Sequence, residues 1–536
     1  MTPENKIYIA DKPTLDAVKA KVDNISASVQ EIAQGGSGGI APSNMIKFSA
    51  FAGDGSAKLY IEEPGDTIID SQVLSTIAGV KIMRSETGYP ETEKDGSLVI
   101  DIKRENFGQY KEVPYEDAGL ANGTTYYYAA FPYSDQGVYN RNPQNKAEAT
   151  PKQYELYGFD IDQDDSNPAT RISYPSDVDN AEWDPMTVNQ SSGAFDLGRW
   201  ANTFFMRSIR PVMLKYDGTV DYELNHDDQS FKLDGSTASD ISNTAYGGNA
   251  MVEFPKMYFK RWQDATGQHV RVSNVQIDTD FKCYAHMYNG EELDAIYLPM
   301  FEGSSVSGKV RSLAGQTPMN TQTGATEKTQ IEANGSGWQF DDWMNAQMVT
   351  HLLFLLGKSS DLQATFGRGH YDGGSAASSL LQTGQLKNKG MFYGTNGNAS
   401  VKFLWLENYY GDRWDRKYGV VYNTAGHILT KAYPPYNTDG SGYTDTGITI
   451  TGTSGGYISK TKMTEFGEFP IVASGSETTY QPDGCWWNTT QLNFLLWGAD
   501  CNNGLRVGAA FHVDAPFSHS AWALGPSLAY KYPKAA

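Results

Sequence analysis

The chain has 536 residues, more than one hydrophobic core usually organises, so three or more domains are expected. Its 43 Lys and Arg against 63 Asp and Glu give a formal net charge of −20, which argues against a nucleic-acid partner or an anionic-lipid surface. No run of about 18 apolar residues occurs, so no membrane insertion is expected, and the start, MTPENKIYIADKP, lacks the basic residues and apolar core of a secretory signal, which predicts folding in the cytoplasm.

Residues 1–34 are expected to form an attachment segment with a short coiled coil. Leu15, Val18, Val22, Ile25, Val29 and Ile32 alternate spacings of three and four, which is a heptad seam. Thr14 is placed to cap the helix and Asp16 lies in its first turn. β-branched residues fill most seam positions, which favours a parallel homotrimer over a dimer. An amphipathic helix packed on its own domain is the alternative. Residues 35–44 open with Gly-Gly-Ser-Gly-Gly and read as a flexible linker.

Residues 45–150 read as β-rich, with strands expected in VKIMRS (80–85), LVIDIKR (98–104) and TYYYAAFPYS (125–134). Residues 151–250 are polar and are expected to be a β-rich connecting domain. Within them DIDQDD (160–165) alternates carboxylates, but Asp165 and Arg171 stand where a calcium-binding EF-hand loop needs glycine and glutamate. A solvated acidic loop is the expectation. Residues 251–536 are expected to form an α+β domain. MVEFPKMYFKRW (251–262) reads as a strand, and 340–359 as a helix started by Asp341 or Asp342 and stopped by Gly357.

The end of the chain interleaves two residue classes. Leu495, Trp497, Gly498, Gly504, Val507, Gly508, Ala509, Leu524, Gly525 and Leu528 form a small and apolar framework. Asp500, Cys501, Asn502, Asn503, Arg506, His512, Asp514, Phe517, Ser518, His519 and Trp522 look free of packing duty. Glycine turns on a rigid scaffold allow such side chains to vary. Trp497 and Phe511 are expected in the core. Trp486 and Trp487 are adjacent in a strand, so one should face in and the other out.

Two resemblances follow from these residues. Leu120-Ala-Asn-Gly-Thr-Thr-Tyr126-Tyr-Tyr128 resembles the tyrosine-corner region of fibronectin type III modules, which implies a β-sandwich spacer over 45–150. LLWGADCNNGLRVGAAF with APFSHSAWALGPSLAYKYP, and WLENYYGDRWD (405–415) upstream, resemble retroelement-diversified phage variable proteins of the major tropism determinant kind. That resemblance implies a C-type-lectin-like domain over 251–536. Its implied ligand face comprises Trp486, Asn488, Asp500, Asn502, Arg506, His512, Asp514, Phe517, Ser518, His519 and Trp522. The fold class expected for the whole chain is therefore multidomain and mainly β with α+β.

Gln481-Pro482-Asp483 matches the galactose-type tripeptide of calcium-dependent lectins, but the Trp-Asn-Asp strand that completes such a site is represented only by Trp487-Asn488-Thr489. No metal or other cofactor is expected, and Cys283, Cys485 and Cys501 show neither a disulfide framework nor zinc spacing. Free thiols are the expectation, with a Cys485–Cys501 pair as the alternative. No G-x-S-x-G, H-E-x-x-H or P-loop occurs, and paired carboxylates such as Glu291-Glu292 are ordinary among 63 acids. No enzyme is therefore expected. The function expected is that of a phage tail receptor-binding protein in the virion. Its partners would be a bacterial surface glycan or protein, and other tail proteins at its N-terminus. A capsule depolymerase and an exported adhesin are the alternatives.

Overall fold

The computed structural model describes residues 39–69 and 71–533. The expected coiled coil lies outside the described residues. The described residues are mainly β and divide into two compact units: one of those up to 154 with 275–279, the other of 155–274 and 280–533.

The first unit contains two larger sheets and a two-stranded one, Thr67–Ile69 with Gln72–Ser75. Lys47–Ala52, Ser56–Glu62 and Tyr115–Ala118 form the first, in that order. Ser97–Lys103, Ile77–Ser85, Tyr126–Ser134 and Lys146–Ala149 form the second. Alternate side chains of both sheets meet in one core: Leu59 and Ile61 from one, Val80, Ile82, Ile102 and Tyr128 from the other. A polar clip joins the sheets. Arg84 donates to both carboxylate oxygens of Asp117 at 2.7 Å, and the Tyr128 hydroxyl donates to Asp117 at 2.9 Å. Tyr126 closes the corner before its strand, its hydroxyl accepting from the Ala121 N–H at 3.0 Å.

The second unit is built on three sheets around one buried helix, Trp343–Gly357. Asp342 caps that helix by accepting from the Asn345 N–H. The helix lies between sheets, so it is buried on every side: Phe354 meets Phe159 of a four-stranded sheet, and Trp343 meets Trp497 and Phe511 of an eight-stranded one. Its polar side chains therefore need internal partners. Arg261 donates to His351, and Gln347 accepts from the Glu468 N–H. The helix ends at Gly357 as expected, but Gly357 does not itself make the left-handed turn. It is the last helical residue, pressed so near Phe366 that a Cβ would lie 2.8 Å from that ring, and Lys358 makes the left-handed turn at φ 49°.

Two expectations are corrected here. The domain boundary at 250/251 falls inside the strand Gly248–Pro255, which pairs with Arg210–Lys215 on one side and Ala295–Pro299 on the other. The polar stretch 151–250 is thus not a separate connecting domain; its polar residues make the turns of the larger unit. The expected single strand 251–262 is two, Gly248–Pro255 and Tyr258–Asp264, in different sheets. They separate at Pro255, whose nitrogen has no hydrogen to donate. The six-stranded sheet is completed by Leu528–Tyr530, which lies between Ala295–Pro299 and Trp338–Phe340.

The acidic run 160–165 begins in the strand Leu156–Ile161 and turns from Asp162 onward. Asp162 accepts from the backbone of Asp164, and Asp160 pairs with His269 and Arg271.

Candidate functional site

The eight-stranded sheet runs Thr444–Thr449, His427–Thr430, Trp414–Tyr422, Asn493–Trp497, Phe511–Ala515, Gln481–Asn488, Thr453–Ile458, with Leu524–Pro526 beside Trp414–Tyr422. Strand alternation sorts its side chains. Cys485 and Trp487 point into the core, as do Phe511, Val513 and Ala515. Trp486, Asn488, His512 and Asp514 alternate to the opposite side and are partly exposed. The adjacent tryptophans thus divide as expected, and Trp497 and Phe511 are core residues.

Trp486 and His512 are register partners on parallel strands, with rings 5.5 Å apart. Both stand on Trp414, whose buried indole meets them edge-on at 5.6 Å and 4.9 Å. Glycine makes room for the Trp486 ring. A Cβ on Gly455 would come within 2.2 Å of it and one on Gly484 within 2.4 Å. Across the ring lies Arg506, its guanidinium 5.8 Å from Trp486 and 5.3 Å from Tyr457. His512 Nε2 bonds the Asp514 carboxylate. Burial acts to raise the Asp514 carboxyl, but the His512 hydrogen bond and the charges of His512 and His519 outweigh it and hold the group below its usual range.

Trp486, Arg506, His512 and Asp514 form one accessible cluster. Ser518, His519 and Asn502 are exposed, and Trp522 is half-buried against the main core. Three expected face residues are packed or occupied instead. Phe517 stacks on Tyr418 at 5.9 Å and meets Phe494 at 5.0 Å, filling a hole beside Gly324. Asp500 is buried, and burial raises its carboxyl, which accepts from the Asn502 N–H. Asn488 folds its own turn, accepting from Thr490 N–H through its side chain and from Asn493 through its carbonyl. Cys501, read as free of packing duty, is fully buried.

Two contributors were not assigned to the face from sequence. Trp414 lies in the 405–415 motif, and Tyr457 in a glycine-rich strand with no motif to mark it.

Behind the cluster the 405–418 segment is held by buried charge. Arg416 bonds Glu327 at 2.7 Å and the His519 carbonyl at 3.0 Å, tying the exposed loop to the framework. Glu407 accepts from the N–H groups of Gly384, Gln385 and Leu386. Trp405, Asn408 and Asp412 sit at positive φ, 61°, 53° and 63°, a conformation that persists only where surroundings enforce it. The lectin-type tripeptide is inaccessible: Gln481, Pro482 and Asp483 are buried, and Gln481 donates to Asp483.

The arrangement suits recognition: an indole face for stacking, a guanidinium, and an imidazole–carboxylate pair for hydrogen bonds. No protein-family model matches the chain, and no curated protein matches it.

Proposed function

We propose that this chain is a phage tail receptor-binding protein that recognises a bacterial surface ligand through the Trp486–Arg506–His512–Asp514 face of a C-type-lectin-like C-terminal domain. The reading rests on one observation above others. A half-exposed tryptophan lies on a glycine floor between a guanidinium and an imidazole, on a sheet braced by buried ion pairs. Rigid aromatic anchors of this kind give contact area with little ordering cost.

The N-terminal unit acts in this scheme as a fibronectin type III-like spacer. Its three-plus-four strand order and the Tyr126–Ala121 bond support that. A homotrimer assembled through residues 14–32 would multiply weak sites on one particle by avidity, with the N-terminus attached to the tail of the virion.

The test is binding of the labelled full-length chain to a panel of bacterial strains and an array of bacterial surface glycans. Trp486→Ala should reduce binding at least tenfold, about 1.4 kcal/mol. Binding that Trp486→Ala and Arg506→Ala leave unchanged overturns the proposed face. Release of new reducing ends from bound polysaccharide overturns the non-enzymatic reading.

A further inference from the structure

Three segments remote in sequence meet behind the candidate face, at His370, Asp412 and Cys501. A histidine ring nitrogen, a carboxylate oxygen and the cysteine Sγ all lie within 4.8 Å of one another, and all three residues are buried. His370 Nδ1 bonds Asp412 Oδ1 at 2.6 Å. Asp412 is fully buried, yet its Oδ2 makes no hydrogen bond. An uncompensated buried carboxylate oxygen is costly. The surrounding backbone fixes all three donors. Asp412 N–H bonds the His370 carbonyl at 2.8 Å, Cys501 N–H bonds the Asp412 carbonyl at 2.9 Å, and Gly373 N–H bonds the Cys501 carbonyl at 2.6 Å. Gly373 admits the imidazole, since a Cβ there would lie 2.4 Å from His370 Nε2. Asp412 itself is held at φ 63°, a conformation a non-glycine residue keeps only when over-determined.

We propose that His370, Asp412 and Cys501 supply three of the four ligands of a buried site for a zinc-class divalent transition metal. The donor set selects the ion. Thiolate, imidazole and one carboxylate suit zinc or cobalt, whereas calcium and magnesium need shells of oxygens. A tetrahedral ion with bonds of about 2.0–2.3 Å holds its donors about 3.3–3.7 Å apart, so on binding the 2.6 Å His370–Asp412 hydrogen bond would give way to bonds to the ion and any spacing near the 4.8 Å limit would contract. One imidazole, one thiolate and one carboxylate against a doubly charged ion make the ligand set and its ion neutral together. The same three residue types serve in nucleophilic catalysis, but that needs a route to sulfur, and Cys501 has no exposed surface. The ion would staple the segments around 370–374, 411–413 and 498–504, the last of which leads directly into Arg506.

The experiment uses the full chain stripped with chelator and reloaded with cobalt(II), a spectroscopic substitute for zinc. One equivalent should bind, with a thiolate-to-cobalt absorption band in the near ultraviolet. A Cys283→Ser/Cys485→Ser variant, with Cys501 its only thiol, should keep both, Cys501→Ser should lose the band, and Asp412→Asn should weaken binding at least tenfold. Absence of the band in the wild-type chain, its loss from the double variant, or its persistence in Cys501→Ser overturns the site. If Cys501→Ser fails to fold, the double variant still decides.

Discussion

The two compact units use aromatic side chains in different ways. All eleven tryptophans lie beyond residue 154, whereas the N-terminal unit relies on tyrosines whose hydroxyls close hydrogen bonds, as Tyr126 and Tyr128 do. In the C-terminal unit the same kind of ring serves two purposes within one sheet. Phe517 and Trp497 fill the interior, while Trp486 is left half-exposed over glycine. In the proposed reading the N-terminal unit, as a spacer, needs only a sealed core, whereas a recognition surface needs apolar area that the core has not already consumed. Tryptophan fluorescence consequently reports on the C-terminal unit alone, which gives the contrast an experimental handle.

The largest effect is expected where charge is buried. Glu327→Ala leaves Arg416 without its carboxylate and should lower the stability of the C-terminal unit by about 3–5 kcal/mol, seen as an early tryptophan transition in denaturant. Next comes Asp117→Ala, which removes the partner of Arg84 and Tyr128. It should cost the N-terminal unit about 2–3 kcal/mol. Far-ultraviolet circular dichroism should register that loss while the tryptophan midpoint stays put; a shifted tryptophan midpoint would mean that the units do not unfold independently.

Phe517→Ala and Trp486→Ala sharpen the contrast within the sheet. The first should cost about 2–3 kcal/mol, the lower end for a large ring because Phe517 is half-buried. The second should cost about 1 kcal/mol, the scale of its ring contacts with Trp414 and His512. Unfolding of the two variants measured side by side should therefore rank them opposite to their effect on binding.

The smallest effect concerns pH. Asp514 has a folded-state carboxyl held below its ordinary value of 3.8. Its contribution to stability is present above that value and is lost as pH falls through the lower folded one. Asp514→Asn should lose that contribution near neutrality, where the slope stays the same, and flatten the stability profile below about pH 4; an equal slope below about pH 4 in both proteins would remove the His512–Asp514 pair from the account.

Local signals were readable and long-range ones were not. The strand expected in 80–85 falls within Ile77–Ser85, and those expected in 98–104 and 125–134 match Ser97–Lys103 and Tyr126–Ser134 to within one residue at each end, because alternation and turn residues are local. The helix was legible for the same reason, with its cap narrowed to Asp341 or Asp342, of which the structure uses Asp342. That it is buried all round was not, because the partners of its polar residues, Arg261, Glu468 and Tyr409, lie 59 to 121 residues away. Phe517 shows the limit most clearly. Composition marks it as an aromatic among exposed neighbours, Ser518 and His519, yet Gly324 leaves a space that the ring fills. The His370–Asp412–Cys501 cluster follows no spacing rule, since its members are 42 and 89 residues apart and are joined only by the fold.

The place of Leu528–Tyr530 bears on how the protein is made. Its neighbours, Ala295–Pro299 and Trp338–Phe340, leave the ribosome roughly two hundred residues before it does. Until residue 530 emerges, the edges of those two strands have no partner. Such unpaired edges invite pairing with another nascent chain. Slow synthesis over the last third of the message should therefore lower the yield of folded protein, and a chaperone that holds open sheets should raise it.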